Sequence, residues 1–315
     1  MNTTVSIAMT TYNGENYIIE QLESIRLQTV PPDEVIIVDD KSTDNTVSLI
    51  KEYIHIYNLK NWKLKINNVN LGWIANFHRV IEMTGGDIVF FSDQDDIWHP
   101  EKINEMVKIL NKHQDINVLS CRMDYIDNVG EKINVSYNAL PFGINKKKKI
   151  LYRNIVNKKF AYTIMPGCTM CVRKSFINKL YLIQETRKLP HDALFWKMGT
   201  LLECAYIYNK VLISYRIHDT NASSPETTIS YDIKSKMIRL NQANSLKEQI
   251  QLVCNLAEKI CIKSKYYKQL KQINNFCNAR IQYLMKENYI RIFCYLKYYN
   301  SLKMFVGDLF AKYKK

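Results

Sequence analysis

The sequence predicts an α/β fold, in which a mainly parallel β-sheet is flanked by helices and followed by a helical region. Over residues 1–120, apolar strand-like runs alternate with segments of helical periodicity. This alternation is typical of βαβ units and therefore of a parallel sheet. Beyond Pro225 the chain has no proline, and its apolar residues keep helical spacing. We therefore predict a sheet domain over residues 1–225 and a basic helical region over residues 226–315.

Short runs of β-branched and aromatic residues predict five strands in the first part of the chain. These are residues 5–9, 34–38, 62–66, 88–91 and 117–121. Helices are expected between them, because apolar residues there recur every three or four positions. The Pro31-Pro32 pair ends the first helix, and Gly85-Gly86 ends the third. Two later segments, GCTMCV and AYIYNKVLISYRI, also have strand character.

Polar side chains follow three of the predicted strands, at the point where each strand ends. They are Thr10, Tyr12, Asp39, Asp40, Asp93, Asp95 and Asp96. Ligands of open α/β sheets bind beyond the carboxyl ends of the strands, so we expect these side chains to line one crevice. Three carboxylates within residues 93–96 repel one another unless water or a cation compensates. Mg²⁺ and Mn²⁺ prefer such oxygen ligands and share them with phosphates, so a metal–diphosphate site is one interpretation, and a solvated loop or helix cap is the alternative.

Three further residue patterns suggest ligand chemistry. Asp39 or Asp40 can accept a hydrogen bond from a uracil or thymine N–H or from ribose, with Tyr12 covering the base; the alternative is a cap of the next helix. Asp192 begins a predicted helix and is a candidate general base, with helix capping as the alternative. His218 is a candidate ligand of a metal or diphosphate, or a residue bonded to backbone.

The positive charge is concentrated at the end of the chain. Of a net charge of +14, residues 231–315 carry +12, from 17 Lys and Arg against 5 Asp and Glu. This asymmetry suggests an anionic partner such as a membrane surface, and a solvated helical face is the alternative. In the sheet domain, basic residues do not cluster with aromatic residues, so no nucleic acid partner is expected.

Several classes of protein are disfavoured by what the sequence lacks. The chain starts without a secretory leader pattern, so its eight scattered cysteines predict no disulfide framework. No apolar run reaches the ~18 residues of a membrane span. We find no G-x-G-x-x-G after the first strand and no G-x-x-x-x-G-K-[ST], which disfavours a nicotinamide-binding protein and a P-loop protein. A cytoplasmic location is expected, with peripheral contact at the inner face of the cell membrane as an option.

Motifs along residues 1 to about 222 resemble those of family 2 glycosyltransferases, whose nucleotide-sugar-binding fold is called GT-A. The matching segments are VSIAMTTYNGENYIIEQLESI, EVIIVDDKSTDNT, NLGWIANF, GGDIVFFSDQDDIWHPEKI, GCTMCVRKSF, the HD of PHDALF, and YRIHDTN. The SDQDDIW and YRIH forms look most like the bacterial rhamnosyltransferase-like branch. Gln94 stands where many members have Ala, and Lys41 where Gly is common.

The resemblance implies an inverting, metal-dependent glycosyltransferase. It would transfer a sugar from a UDP- or dTDP-sugar, dTDP-rhamnose among the candidates, to a glycan or lipid-linked glycan in capsule or O-antigen synthesis. Carried over by motif, the site residues are Thr10, Tyr12, Asp39, Asp40 and Asp93 for the nucleotide, Asp95 and His218 for Mn²⁺ or Mg²⁺, and Asp192 as catalytic base.

Two alternative functions and two alternative roles of the tail stay open at this point. A HAD-like phosphotransferase also uses Asp-x-Asp after a strand, but it wants Thr or Val where Ile97 stands. A non-catalytic nucleotide-sugar-binding protein would keep the same polar residues. The segment YLKYYNSLKMF, basic and aromatic, suits an interfacial membrane helix. It would equally suit a helix that packs on the sheet domain or on a second copy in a homodimer.

Overall fold

The computed structural model describes residues 3–134, 150–218, 236–260, 264–286, 292–299 and 302–310. The predicted domain boundary at residue 225 lies outside these ranges. Strands of the described chain are β1 (Val5–Thr11), β2 (Glu34–Asp39), β3 (Trp62–Ile66), β4 (Ile88–Ser92), β5 (Ile97–Trp98), β6 (Val118–Ile126), β7 (Leu151–Arg153), β8 (Met170–Arg173) and β9 (Ala205–Arg216). Its α-helices are α1 (Ile18–Arg26), α2 (Thr46–Ile56), α3 (Trp73–Met83), α4 (Lys102–Lys112), α5 (Lys174–Tyr181), α6 (His191–Leu201), α7 (Lys236–Lys259), α8 (Ser264–Lys286) and α9 (Leu302–Phe310).

All these strands join one sheet, in the order β3-β2-β1-β4-β8-β6-β9-β5, with β7 also paired to β9. The half built from β3, β2, β1 and β4 is entirely parallel, as the alternating pattern predicts. The other half is mixed, because β8 runs antiparallel between β4 and β6. In that half β6 and β9 are parallel, whereas β5 and β7 run antiparallel to β9. The α/β class with a flanked central sheet is confirmed, and its parallel character is strongest in the first half.

The parallel pairing brings the polar strand ends together. In register, Thr11 of β1 lies opposite Asp39 of β2, and Met9 of β1 lies opposite Ser92 of β4. The residues that follow β1, β2 and β4 therefore leave the sheet at the same edge, where ligands of such sheets bind. Segments some 30–50 residues apart in sequence become neighbours for this reason.

Side chains alternate between two cores, one on each face of the sheet. In β2, Val35 and Ile37 belong to one core, and Ile36 and Val38 to the other. The first core also contains apolar residues of α1, α2 and α4. The second contains residues of α3, α5 and α6 and continues into the carboxyl-terminal helices.

The carboxyl-terminal helices pack on the sheet domain through this second core. Phe195 of α6, Val253 of α7 and Phe276 of α8 are all fully buried in it. Tyr298 and Tyr299, from the segment that suggested an interfacial helix, are also buried. In the described residues this segment therefore contributes two of its three tyrosines to the protein core rather than to the surface. None of the helices in the described ranges combines the length and the apolar character that crossing a membrane requires.

Candidate active site

A cleft of about 410 Å³ lies at the carboxyl edge of the parallel strands. Six residues of the predicted site line it: Thr10, Tyr12, Asp40, Asp93, Asp95 and Asp192. His218 adjoins the cleft through Asp95, whereas Asp39 does not line it. The expected convergence of distant polar residues at one crevice is therefore what the structure contains.

The two adjacent carboxylates of Asp39 and Asp40 have different surroundings. Asp39 is fully buried and accepts hydrogen bonds from the Thr11 hydroxyl at 2.8 Å and from the Ser42 N–H at 2.8 Å. Its bonds hold the loops after β1 and β2 together. Asp40 accepts the N–H groups of Leu71 and Gly72, both at 2.8 Å, and faces the cleft. The structure thus brings Asp40 to the ligand side and keeps Asp39 behind it.

Tyr12 stands at the rim of the cleft with 47% of its surface exposed. The side chain of Gln94 forms hydrogen bonds with both the N–H and the carbonyl of Tyr12. The Gln94 Oε1 accepts the Tyr12 N–H at 2.8 Å, and the Gln94 Nε2 donates to the Tyr12 carbonyl at 3.0 Å. The next residue, Asn13, has φ of 49°, in the left-handed region that Asn tolerates. The phenol ring is therefore left accessible while its backbone is fixed.

The loop after β4, residues 93–96, concentrates negative charge that nearby cations do not balance. Burial, then repulsion from Asp96, Asp95 and Asp192, raises the pKa of Asp93 well above its usual value. Burial, with repulsion from Asp95, raises the pKa of Asp96 to about 7. The buried Lys102 ammonium offsets part of this charge at both carboxyls. Such an arrangement costs stability unless a ligand supplies positive charge.

Asp95 and His218 form the second part of this acidic site. The His218 Nε2 lies 3.0 Å from the Asp95 Oδ2, and the two side chains are 7% and 14% exposed. The end of β9 holds the loop in place: the Arg216 Nε donates to the Asp95 carbonyl at 2.8 Å, and the Arg216 N–H donates to the Asp96 Oδ1 at 3.2 Å. The YRIH motif thus supports the DQDD loop directly.

The donor set fits a hard divalent cation. Carboxylate oxygens and an imidazole nitrogen are ligands that Mn²⁺ accepts, and Mg²⁺ takes the same carboxylates. The Asp96 Oδ2 is buried and has no hydrogen-bond partner in bonding geometry within the described chain. Potential donor atoms of Asp93, Asp96 and Cys168 lie within 4.8 Å of one another. The unbalanced carboxylates of this loop are the observation that supports a cation there.

Asp192 lies in the first turn of α6 and lines the same cleft. Its Oδ1 accepts the Ala193 N–H at 2.6 Å, which fixes the carboxyl at the helix start. Burial raises the pKa of Asp192 to about 6. It is therefore mostly ionised at neutral pH yet basic enough to accept a proton, as a general base requires.

His191, the preceding residue, is buried and stacks on Phe77 with ring centroids 3.9 Å apart. Burial lowers the pKa of His191 well below its usual value, so the imidazole is neutral. A Cβ on Gly167 would lie 2.2 Å from the His191 Nε2, so this position needs a glycine. The contact places the loop before β8 against the start of α6.

Sequence reasoning gave no role to several residues of the cleft. In the sequence, Gln94 is only a departure from the common motif, and Cys168 is one of eight scattered cysteines. Cys168 and Cys171 are buried free thiols. Trp73 lines the cleft with 47% of its surface exposed. The available signal was its place in the NLGW motif, at the start of α3.

Comparisons with known proteins agree with this geometry. The model of glycosyl transferase family 2 matches residues 6–180. The dTDP-rhamnosyl transferase RfbG of Shigella flexneri is 27% identical over 261 residues, which cover 78% of this chain and 83% of that protein. The chain spans about two-thirds of the length of other relatives, from Rickettsia and Haemophilus.

Two solved structures show the shared fold. TarS 1–349 of Staphylococcus aureus, in complex with UDP-GlcNAc, superposes with a TM-score of 0.62 at 17% identity, covering 98% of this chain and 90% of that one. The mannosyltransferase PcManGT of Pyrobaculum calidifontis, with GDP-Man and Mn²⁺, superposes with a TM-score of 0.58 at 16% identity, covering 100% and 77%. The expected GT-A fold is confirmed, and with more than half of its length matched by the family model, the chain belongs to glycosyl transferase family 2.

Proposed function

We propose that this protein transfers a sugar from a UDP- or dTDP-sugar to a hydroxyl group of a glycan, with inversion at the anomeric carbon. The observation that carries the proposal is the meeting of an acidic loop and a separate carboxylate, Asp192, in one cleft. The Asp192 charge is close enough to contribute to the raised pKa of Asp93. A donor diphosphate on the acidic side and an acceptor hydroxyl at Asp192 would share this cleft.

In this proposal the donor nucleotide lies between the loops after β1, β2 and β4. Tyr12 covers the base, Thr10 and Asp40 contact the nucleoside, and Asp93 faces the ribose or diphosphate. In this proposal Asp39 supports these loops from behind, and the neighbouring Asp40 contacts the nucleoside. Asp95 and His218, which lie 3.0 Å apart, would hold Mn²⁺ or Mg²⁺, and the bound cation would neutralise charge on the departing nucleoside diphosphate.

The Asp192 carboxylate takes the proton of the acceptor hydroxyl as that oxygen attacks the anomeric carbon. The Ala193 N–H holds one carboxylate oxygen, so the group cannot turn away from the cleft without losing a hydrogen bond. A single displacement inverts the anomeric carbon and needs no enzyme nucleophile. The neutral His191 beside it adds no positive charge that would lower the basicity of Asp192.

The test combines binding and turnover. Thermal-shift measurements with UDP, dTDP, GDP and their sugars, with and without Mn²⁺, should show stabilisation by a uridine or thymidine nucleotide that Mn²⁺ strengthens. Asp192→Asn should keep this binding and lose sugar transfer by roughly 10²–10⁴-fold. Normal transfer by the variant would remove Asp192 from its role. Absence of binding by any of these nucleotides would remove the proposal, and binding without transfer would favour the non-catalytic alternative.

Only the names of the relatives indicate which donor sugars and acceptors should be tested first. One relative is named a dTDP-rhamnosyl transferase, and the solved TarS structure contains UDP-GlcNAc. These names support dTDP-rhamnose and UDP-N-acetylglucosamine as the first donors to test. A glycan, free or lipid-linked, of a cell-surface polysaccharide is the acceptor class that we propose. Family membership argues against the phosphotransferase alternative.

We also propose peripheral contact with the inner face of the cell membrane through the carboxyl-terminal helices. Leu302 of α9 is 70% exposed and Phe293 is 53% exposed, within the region that carries most of the positive charge. Such residues suit an anionic lipid surface. Sedimentation with anionic liposomes should carry the protein down, and Leu302→Glu should reduce the bound fraction. Equal sedimentation of the variant, or a homodimer that buries this face, would contradict the proposal.

A further inference from the structure

Gln94 occupies an unusual place between two functional loops. It lies within the acidic loop, between Asp93 and Asp95, yet its side chain leaves that loop and pairs with the backbone of Tyr12. The amide matches the peptide as a neighbouring strand would, with one hydrogen bond accepted at 2.8 Å and one donated at 3.0 Å. An apolar side chain cannot make this pair of bonds, because it has neither the acceptor oxygen nor the NH₂ donor of a carboxamide.

The loop after β1 leaves a space shaped for the Gln94 amide. A Cβ on Gly14 would lie 2.3 Å from the Gln94 Oε1, 2.4 Å from its Cδ and 2.9 Å from its Nε2. The φ of Gly14 is outside the left-handed region, so its backbone conformation does not itself require glycine. An alanine at this position would therefore displace the Gln94 amide.

Other bonds of this loop lead in a different direction. The Asn13 N–H donates to the Ser42 hydroxyl at 2.9 Å, and the Thr43 N–H donates to the Asn13 Oδ1 at 2.8 Å. These contacts tie the loop to the segment after β2. Gln94 ties it to the acidic loop, so the position of Tyr12 depends on both neighbours.

We propose that Gln94 is a positioning residue that sets Tyr12 for recognition of the nucleotide base. The acidic loop then has two functions: its carboxylates serve the cation and diphosphate, and its amide fixes the aromatic residue that faces the base. This inference rests on the proposed function, since it assumes that a nucleotide occupies the cleft. It goes beyond it by assigning a part in base recognition to Gln94, a cleft residue whose amide bonds to the Tyr12 backbone.

The test separates base recognition from diphosphate binding. Dissociation constants are measured by calorimetry for UDP, dTDP and inorganic pyrophosphate, each with Mn²⁺. For Gln94→Ala we expect nucleotide binding about tenfold weaker, as the loss of two hydrogen bonds allows, with pyrophosphate binding unchanged. Gln114→Ala is the matched control, because the Gln114 amide donates only to the local Asn111 carbonyl on an exposed surface.

A double-mutant cycle makes the inference sharper. Gly14→Ala should weaken nucleotide binding as Gln94→Ala does, because the added methyl group displaces the amide. In the Gln94→Ala background the same substitution has room, so the double variant should bind no more weakly than Gln94→Ala alone. Additive losses, or equal weakening of nucleotide and pyrophosphate, would overturn the inference. Failure of the wild-type protein to bind either nucleotide would instead overturn the proposed function.

Discussion

Two buried acidic sites in this protein differ in how their negative charge is compensated. Asp308 of α9 is fully buried and is surrounded by partners: Arg239 of α7 at 2.9 Å, Arg280 of α8 at 2.7 Å and the Tyr299 hydroxyl at 2.9 Å. The loop of residues 93–96 places several carboxylates close together, with the buried Lys102 as their nearby cation. The first site has its compensating charges within the chain, whereas we propose that the second takes positive charge from a bound cation.

The direction of each pKa shift records this difference. Burial opposes the charge of Arg280, but the Asp308 carboxylate that accepts its hydrogen bond outweighs burial, so the pKa of Arg280 is raised and its charged form is favoured. The pKa of Asp93 and of Asp96 is raised by burial and repulsion, so their charged forms are disfavoured. A compensated buried charge holds helices together, whereas an uncompensated one marks a place where a ligand binds. The contrast separates structural from functional acidic residues without reference to the family.

The largest expected effect is on stability at the compensated site. Asp308→Asn leaves two buried guanidinium groups without their carboxylate, so the free energy of unfolding should fall by about 3–5 kcal/mol. Urea denaturation checks this. Lys259→Ala is the control from the same region, because its ion pair with Glu185 is exposed and should contribute little. A loss for Asp308→Asn as small as that of the control would mean that the compensation has no stabilising role.

Mn²⁺ binding at the acidic loop should raise the free energy of unfolding, and this gain should not depend on Asp308. At a Mn²⁺ concentration of about 100 times its dissociation constant, binding to the native state alone stabilises by about 2.7 kcal/mol. The wild-type protein should gain this amount over the protein in chelator. Asp95→Ala should lose most of the gain, whereas Asp308→Asn should keep it. Urea denaturation with and without Mn²⁺ measures each gain, and an equal gain in Asp95→Ala would contradict the ligand assignment.

The sequence predicts features that follow from local patterns, and it does not predict individual contacts between residues that are far apart along the chain. The regular alternation of strands and helices predicted the parallel half of the sheet, and with it the convergence of Thr10, Asp40 and Asp93. It could not predict that β8 inserts antiparallel next to β4, because a short apolar strand has no local signal of its direction. That insertion brings Cys168 to the acidic loop.

Other features could not be predicted because the same residue pattern is compatible with two different structural surroundings. Adjacent carboxylates such as Asp39 and Asp40 look alike, but the contacts of each decide which one faces the cleft. A segment rich in basic and aromatic residues suits a membrane surface and a protein core equally, and Tyr298 and Tyr299 are buried. Gln94 gave no positive signal, since its partner lies 82 residues away.

In the part of the chain that the structure describes, the buried charge of Asp192 has no compensating partner of the kind Asp308 has, so we expect it to lower the free energy of unfolding. Because burial raises its pKa from 3.8 to about 6, its ionised form destabilises the native state at neutral pH. Asp192→Asn keeps the oxygen that accepts the Ala193 N–H and removes the charge. We expect the free energy of unfolding at pH 8 to rise by about 1–3 kcal/mol while transfer is lost. Urea denaturation at pH 8 measures the change, and destabilisation by this substitution would place Asp192 with Asp308 among the structural carboxylates.

The smallest effect, and the most specific, is the dependence of this stability difference on pH. The native state binds the Asp192 proton more tightly than the unfolded state does, since its pKa is about 6 rather than 3.8. Below pH 4 both states are protonated, and the wild type and Asp192→Asn should differ little. As pH rises from 4 to 6 the wild type should lose stability relative to the variant, and above 6 the difference should stay constant. The kcat/KM of the wild type should rise with a midpoint at about pH 6 and level off at higher pH, because the base must be ionised. Urea denaturation and initial rates between pH 4.5 and 8 measure both curves. If the difference in free energy of unfolding between the wild type and Asp192→Asn instead widened as the pH falls, the linkage would have the opposite sign. The titrating group would then not be Asp192.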